Sequence, residues 1–568
     1  MVLLPGYPVH DANRGVPVSC PPGDEYQRSD RYKLEWPAGV PSQFRGVSLV
    51  FRARRQPVGG ENRTGRSLPR QPRVPAVRQG EAAELRSTPW AQPRPTIARF
   101  GDRWDGMNQA EGSAVEPLVL PKGLLLGVGT SAFQTEGAVA EDGRGPSIWD
   151  VFAHTAGRTH RGDTGDLACD SYHRMESDLD LIAQLGVDAY RFSVSWPRVK
   201  PAGSGAVNAL GLDYYQRLVH GLRARGILPV VTLYHWDLPQ ALEAAGGWPA
   251  RETARHFADY TRVVVEALGD QVGMWITMNQ PQSCASDGYG TGTRAPGLAN
   301  PIQAAMAAHH LLLGHAFAAA EIRAILGQAA RIGISLNLRP VRPLLPSDAV
   351  LAEQVACDRY ATFASAVLAG RYPEQSWLMS RLPASSLADV QRFPAELDFV
   401  GVNYYGPLIV TERPDAASVR CAKSLGEYGQ AAEVVPAGMA CSAMGTVVDP
   451  SGLLEVIAAL RSYAPDVPVV VTECGYSSHD YVDPEGRVRD LDRSEYLRRH
   501  LSAYVASGVT GAPLSGFFAW SLLDNFEWVQ GYSQRFGLVY VEFGSQRRVA
   551  KDSANWLTRV AHSRCVDS

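Results

Sequence analysis

The sequence predicts an α/β protein, a closed (β/α)8 TIM barrel preceded by an Arg- and Pro-rich leader. Three observations carry that prediction. Short apolar runs alternate with amphipathic helical stretches. Eight of the runs are spread over the last ~450 residues, which suits one barrel better than an open doubly wound sheet. Six or more of them finish on a polar or aromatic residue, as barrel strands do where chemistry sits at their C-terminal ends.

In chain order, a strand is expected over 123–129, a helix over 179–185, a strand over 189–195 and a helix over 214–225. A strand at 228–234, a helix at 253–268 and a strand at 273–278 follow. Further strands are expected at 332–336, 399–403, 469–472 and 516–520. Strand, helix, strand at this rhythm builds parallel βα units. No GxGxxG tract follows any strand, so a dinucleotide site has no support.

Composition divides the chain near residue 115. Up to there it carries 16 Arg, 14 Pro and a single Lys against 11 acidic residues. Such a stretch lacks the apolar surface to offset the entropy of ordering it. Residues 1–115 are therefore expected to be a disordered leader or translated upstream DNA, with a start near Met107, and residues 116–568 the barrel domain. The whole chain has 568 residues, is 45% hydrophobic and 20% charged, and has a net charge of -3. That balance argues against nucleic acid as a partner. No apolar run is long enough for a bilayer, so no membrane partner is expected, and the first ten residues make a poor secretory signal. The eight cysteines form no CxxC pair and suggest neither a disulfide framework nor a zinc site. Buried free thiols in a reducing compartment, the cytoplasm, are the expectation.

The strand ends read Tyr234-His235-Trp236, Asn279-Gln280, Asn337, Asn403-Tyr404-Tyr405, Thr472-Glu473 and Trp520. One such residue would be an ordinary strand cap. Gathered on one rim they describe a pocket for a sugar, with indole and phenol platforms for its C–H faces and amide, imidazole and carboxylate groups for its hydroxyls. A small-molecule sugar is thus the expected partner, and no metal or organic cofactor is implied.

Over about 118–560 the chain resembles glycoside hydrolase family 1, the β-glucosidase family of retaining enzymes. The resemblance rests on five tracts in order: 130–137 (TSAFQTEG), 190–198 (YRFSVSWPR), 232–239 (TLYHWDLP), 401–405 (GVNYY) and 520–528 (WSLLDNFEW). It implies that Glu473 is the catalytic nucleophile, flanked by Arg191 and Tyr405. It implies that Gln134, His235, Asn279, Glu527 and Trp528 grip the sugar hydroxyls, with Trp520 as the stacking floor. Trp236, Asn337 and Asn403 complete the expected substrate-binding set. Glu527-Trp528 stands where members using 6-phosphosugars carry phosphate-binding residues, so the resemblance implies a small-molecule β-glycoside of an unphosphorylated hexose as the partner.

The chain departs from the family at its acid/base position. The family motif is Asn-Glu-Pro; here it reads Asn279-Gln280-Pro281. An amide keeps the shape and the hydrogen bonds but exchanges no proton at neutral pH. General acid–base catalysis supplies about 10²–10⁴-fold, so its loss is worth roughly 3–5 kcal/mol of barrier. Plant myrosinases also carry Gln here and cleave glycosides whose aglycone leaves without protonation. Three activities stay open: a retaining β-glycosidase with impaired or altered acid/base function, a transglycosidase using a non-water acceptor, and a sugar-binding pseudoenzyme without turnover. Asp287, seven residues on, would stand about 10 Å away along a helix, a distant substitute. Other departures are Leu126, Ser171, Gln282, Thr446 and Cys474. Gln282 and Thr446 replace aromatic residues of the aglycone side, and Cys474 is expected to be structural.

Overall fold

The structure is a computed structural model that describes residues 117–508 and 514–566. The leader expected over 1–115 lies outside the described residues. Eight parallel strands close into a barrel: β1 (Leu125–Gly129), β2 (Ala189–Ser193), β3 (Leu228–Tyr234), β4 (Met274–Asn279), β5 (Ile332–Asn337), β6 (Phe399–Tyr404), β7 (Val469–Cys474) and β8 (Leu514–Trp520). Each pairs in parallel with its neighbours in the chain, and β8 returns to β1. All eight expected strands are present. The last residues of 189–195 instead lead into a short helix, Trp196–Val199, and β7 runs two residues further than expected, so that Glu473 belongs to the strand.

The barrel is filled from below by Ala189, Val230, Met274, Ile276, Phe399, Val470 and Phe518. Glycines make room for the two phenylalanines. A Cβ on Gly127 would lie 2.4 Å from the Phe518 ring, and one on Gly333 2.4 Å from the Phe399 ring. These rings close the floor of the barrel and leave its upper rim for polar groups. Truncating Phe518 to Ala would cost about 3–5 kcal/mol.

The helices wrap the strands in order: α1 (Met175–Leu185), α2 (Ala209–Ala224), α3 (Arg251–Leu268) and α4 (Pro301–Leu326). A broken helix, α5, follows as Ala349–Ala356 and Thr362–Ala369, joined by a wider turn over Cys357–Ala361. Then come α6 (Ser451–Tyr463), α7 (Leu491–Gly508) and α8 (Asp552–Ser563). In α3 the buried stripe Ala254, Phe257, Thr261, Val264, Val265 and Leu268 follows the helical period. Helix α4 went unread because Ala, Leu and His residues bury most of its circumference, which erases the period. Its start is nonetheless encoded: Asn300 accepts hydrogen bonds from the backbone N–H of Ile302 and Gln303, and Pro301 needs no partner. Also unread is a four-stranded sheet of Val419–Ser424, Ala432–Pro436, Leu408–Thr411 and Val341–Pro343, built from the segments following β5 and β6. No helix among the described residues is long and apolar enough to cross a membrane.

Candidate active site

Parallel closure places Asn337, Asn403 and Glu473 in one row across β5, β6 and β7. Glu473 is buried. Its Oε1 accepts a hydrogen bond from Arg191 Nη1 at 2.6 Å, and its Oε2 accepts one from the Tyr405 hydroxyl at 2.7 Å. Tyr405 is held well above the ordinary phenol value by burial and by the Glu473 charge beside it, so it remains a donor.

Arg191 on β2 is fully buried and ties four strands together. Besides Glu473 it donates to the Thr472 carbonyl at 2.9 Å, to Asn279 Oδ1 at 2.7 Å and to Thr232 Oγ1 at 3.2 Å. Asn279 Oδ1 also accepts from Asn403 Nδ2 at 2.8 Å, and Asn403 Oδ1 accepts from the Thr472 hydroxyl at 2.7 Å. With two donors on its oxygen, Asn279 must turn its amide nitrogen to His235 Nε2, 2.9 Å away. Nε2 is then the acceptor, and the ring proton sits on Nδ1, which has no partner. Burial, reinforced by Arg191 and Arg294, keeps His235 well below its ordinary value, hence neutral.

The neighbouring wall is aromatic. The His235 ring lies nearly parallel to Trp520 at 5.8 Å and to Trp528 at 5.9 Å, and Trp236 packs on Trp528 at 4.6 Å. Trp236 Nε1 donates to the Asn279 carbonyl at 2.9 Å. Gln134 donates from Nε2 to Asn525 Oδ1 at 2.9 Å, to the Phe526 carbonyl at 3.0 Å and, more loosely, to Glu527 Oε2 at 3.4 Å. Burial pushes the Glu527 carboxyl up to about 7; Arg294 opposes that shift and Glu473 adds to it. Trp236 and Trp528 hold φ of 82° and 52°, and Gln280 holds 47°. Three non-glycine residues in the left-handed region, each costing of order 1 kcal/mol, aim side chains that ordinary backbone would turn away.

The remaining side is built differently. Gln280, just past β4, donates to Glu473 Oε2 at a long 3.5 Å and accepts from Ser283 Oγ at 3.3 Å. Gln282 donates to the Asn337 carbonyl at 2.8 Å, but its own Oε1 is buried without a partner, as is Asn337 Oδ1. Asp287 turns to Arg294, with Oδ2 3.5 Å from Nε, rather than toward Glu473. Thr446 exposes no ring here; its backbone N–H is tied to Ser442. Burial pushes the Cys474 thiol up to about 12, so no reactive thiolate adjoins Glu473. Among the described residues, no three His, Cys, Asp or Glu side chains are grouped to hold a metal.

All thirteen residues singled out from the sequence therefore lie on this rim or in the turns just beyond it. Others at the same network were not singled out, among them Thr232 and Ser283, which bond Arg191 and Gln280. Asn525 was passed over inside a quoted tract, although its amide is the main partner of Gln134. Arg294 lies in an aperiodic loop, where its charge was the only signal.

Fold and rim together define the class, a (β/α)8 glycoside hydrolase. Residues 117–565 match the model of Glycosyl hydrolase family 1. Beta-glucosidase A of Thermotoga maritima is 40% identical over 449 residues, 78% of this chain and 97% of that protein. A bifunctional beta-D-glucosidase/beta-D-fucosidase of Bifidobacterium breve is 42% identical over 456 residues, 78% of this chain and 98% of that one. The solved structure of a family 1 β-glucosidase from Thermotoga maritima superposes with a TM-score of 0.74 at 39% identity, covering 80% of this chain and all of that one. The chain belongs to glycosyl hydrolase family 1.

Proposed function

We propose that the protein is a retaining β-glycosidase of β-glucosidase type that works through a glycosyl-enzyme intermediate on Glu473, without a general acid–base at Gln280. The observation that carries the reading is the pair of donors on Glu473. Arg191 at 2.6 Å and Tyr405 at 2.7 Å fix the carboxylate at the strand end. A Glu473 oxygen attacks the anomeric carbon as the glycosidic C–O bond breaks, and the bond's electron pair departs with the aglycone oxygen. Gln280 donates a hydrogen bond but transfers no proton, so the aglycone leaves as an anion. Gln134, His235, Asn279, Glu527 and Trp528 hold the hydroxyls of a β-glucosyl-type unit over Trp520.

In the second step an incoming oxygen or other nucleophile attacks the same carbon and frees Glu473. Water attacking here gives up its proton without help from residue 280. A more nucleophilic acceptor therefore gains over water, and transfer competes with hydrolysis. Good leaving groups and strong acceptors bypass the missing group, whose absence is worth roughly 10²–10⁴-fold per assisted step.

Intact mass after mixing with 2,4-dinitrophenyl β-glucoside tests the proposal. A glycosyl adduct on Glu473, released faster by azide or ascorbate, is the expected result. Glucose binding with no adduct would replace the enzyme reading with a sugar-binding protein that does not turn over.

A further inference from the structure

Gln280 neither gives nor takes a proton, so the anomeric carbon can exchange its substituents only under a narrow rule. The departing oxygen must be stable as an anion, and the arriving one must be nucleophilic without first losing a proton. An alkoxide fails the first condition, and water or an alcohol meets the second poorly. A carboxylate meets both, because an ordinary carboxyl, with a pKa of about 4, is already ionised at neutral pH. The orientation of Gln280 suits such a group. Its Oε1 accepts from Ser283 Oγ at 3.3 Å, which leaves the amide nitrogen turned to Glu473 Oε2 at 3.5 Å. Beside the nucleophile, residue 280 therefore presents N–H donors, and a carboxylate oxygen accepts from them.

A cation stands on the same segment. Arg294 follows the helical turns that begin at Gln280, and its backbone N–H donates to the Asp287 carbonyl at 3.1 Å. Its guanidinium carbon lies 4.7 Å from the centroid of the Trp236 ring. Trp236 in turn donates from Nε1 to the Asn279 carbonyl at 2.9 Å, the peptide group that leads into Gln280. The guanidinium is loosely paired. Among the described residues its side chain forms no hydrogen bond, and its ion pair runs from Nε to Asp287 Oδ2 at 3.5 Å, with both side chains 27% exposed. The Nη groups are left as a fork, the geometry that fits a carboxylate. A single guanidinium, partly offset by Asp287, suits a monoanion better than the dianion of phosphate. We infer that the protein uses 1-O-acyl β-glycosides and transfers their sugar between carboxylic acids, with Arg294 receiving the carboxylate beside Gln280. In the first step the bond between the anomeric carbon and the ester oxygen breaks. Its electron pair leaves with the acyl carboxylate as a Glu473 oxygen bonds to the same carbon. In the second step an oxygen of the acceptor carboxylate attacks that carbon, and the electron pair of the bond to Glu473 returns to Glu473. No proton moves in either step, so none is required of residue 280. The inference rests on the glycosyl-enzyme reading above and names the group exchanged.

The test follows dinitrophenolate release from 2,4-dinitrophenyl β-glucoside by the full-length protein, with acetate, methanol or phosphate added at constant ionic strength and the products read by mass. Acetate should accelerate release at least ~10-fold more than equimolar methanol, and should yield 1-O-acetyl-β-glucose. R294Q should lower the acetate-to-methanol ratio by at least ~10-fold, the scale of one charge-assisted hydrogen bond. R294K should recover part of it. D287N, which frees the fork from Asp287, should raise the ratio. A folding defect lowers both rates and leaves the ratio alone. A ratio near one in the unaltered protein, or one unmoved by R294Q and D287N alike, would overturn the inference, as would phosphate outrunning acetate. A glucosyl adduct on Glu473 in those cases leaves the glycosyl-enzyme reading intact. Should no adduct form and no phenolate be released, that reading fails and the inference fails with it.

Discussion

The two sides of the pocket are finished to different standards. On the sugar side most polar atoms have a partner, His235 Nδ1 excepted. Every nitrogen of Arg191 has a partner, Asn279 uses both ends of its amide, and Gln134 is held by Asn525 and the Phe526 carbonyl. On the leaving-group side the amides are loose: Gln280 makes contacts of 3.5 and 3.3 Å, and Gln282 Oε1 and Asn337 Oδ1 have none. A saturated wall is pre-organised and spends no binding energy on ordering itself. An unsaturated one costs roughly 1–3 kcal/mol per orphaned group until something donates to it. The contrast teaches that the sugar grip is fixed by the fold, whereas the far side has been left open to a partner richer in hydrogen-bond donors than an aromatic aglycone.

The largest effect should come from breaking the finished side. Arg191→Met removes four hydrogen bonds and leaves Glu473 buried without its cation, a cost of about 3–5 kcal/mol. Chemical denaturation should show that loss, and release of dinitrophenolate should fall by at least about 10²-fold. A stability loss under about 1 kcal/mol would mean that the sugar side is far less interlocked than its geometry indicates.

Changing the open side should do less to stability and more to substrate range. Gln280→Glu is expected to raise hydrolysis of an unactivated alkyl β-glucoside by at least about tenfold. It should scarcely alter the first step with 2,4-dinitrophenyl β-glucoside, whose leaving group needs no proton. No gain with the alkyl substrate would show that Gln282 and Thr446 have reshaped this side beyond repair at one residue.

The same division governs what the sequence made legible. The eight strands were readable because parallel barrel strands are continuous apolar runs, and their polar ends named the rim. Strand boundaries slipped by a residue or two where the ladder, and not composition, decides, as at Glu473. Helix α4 was missed because burial all round removes its period. The sheet of Val341–Pro343, Leu408–Thr411, Val419–Ser424 and Ala432–Pro436 is hard to read because three of its strands have only 3 to 5 residues, and its outer strand is almost wholly exposed with no apolar alternation. Within the pocket, residues inside dense tracts could be singled out, while Arg294 could not. Its place depends on which ring its loop lays it across, here Trp236, and no spacing rule encodes that.

The smallest effect concerns the burden the sugar side carries with no ligand bound. Glu527 is pushed up to about 7 by burial, against roughly 4.3 for an unfolded chain. Between those values the native state binds more protons than the unfolded one, so stability falls as pH rises from about 4.5 to 7 and then levels. Asp237, one residue after Trp236, is also pushed to about 7 by burial and acts in the same window with the same sign. Glu527→Gln should remove its share, on the order of one to a few kcal/mol, so that urea midpoints at pH 5 and pH 7.5 draw together while Asp237 maintains the rest. An unchanged gap in that variant would place the whole effect on Asp237, and would mean that Glu527 is better solvated than the aromatic wall around it allows. A narrowed gap would show that the finished side carries a cost in charge desolvation, one that hydrogen-bond donors of a bound sugar would relieve.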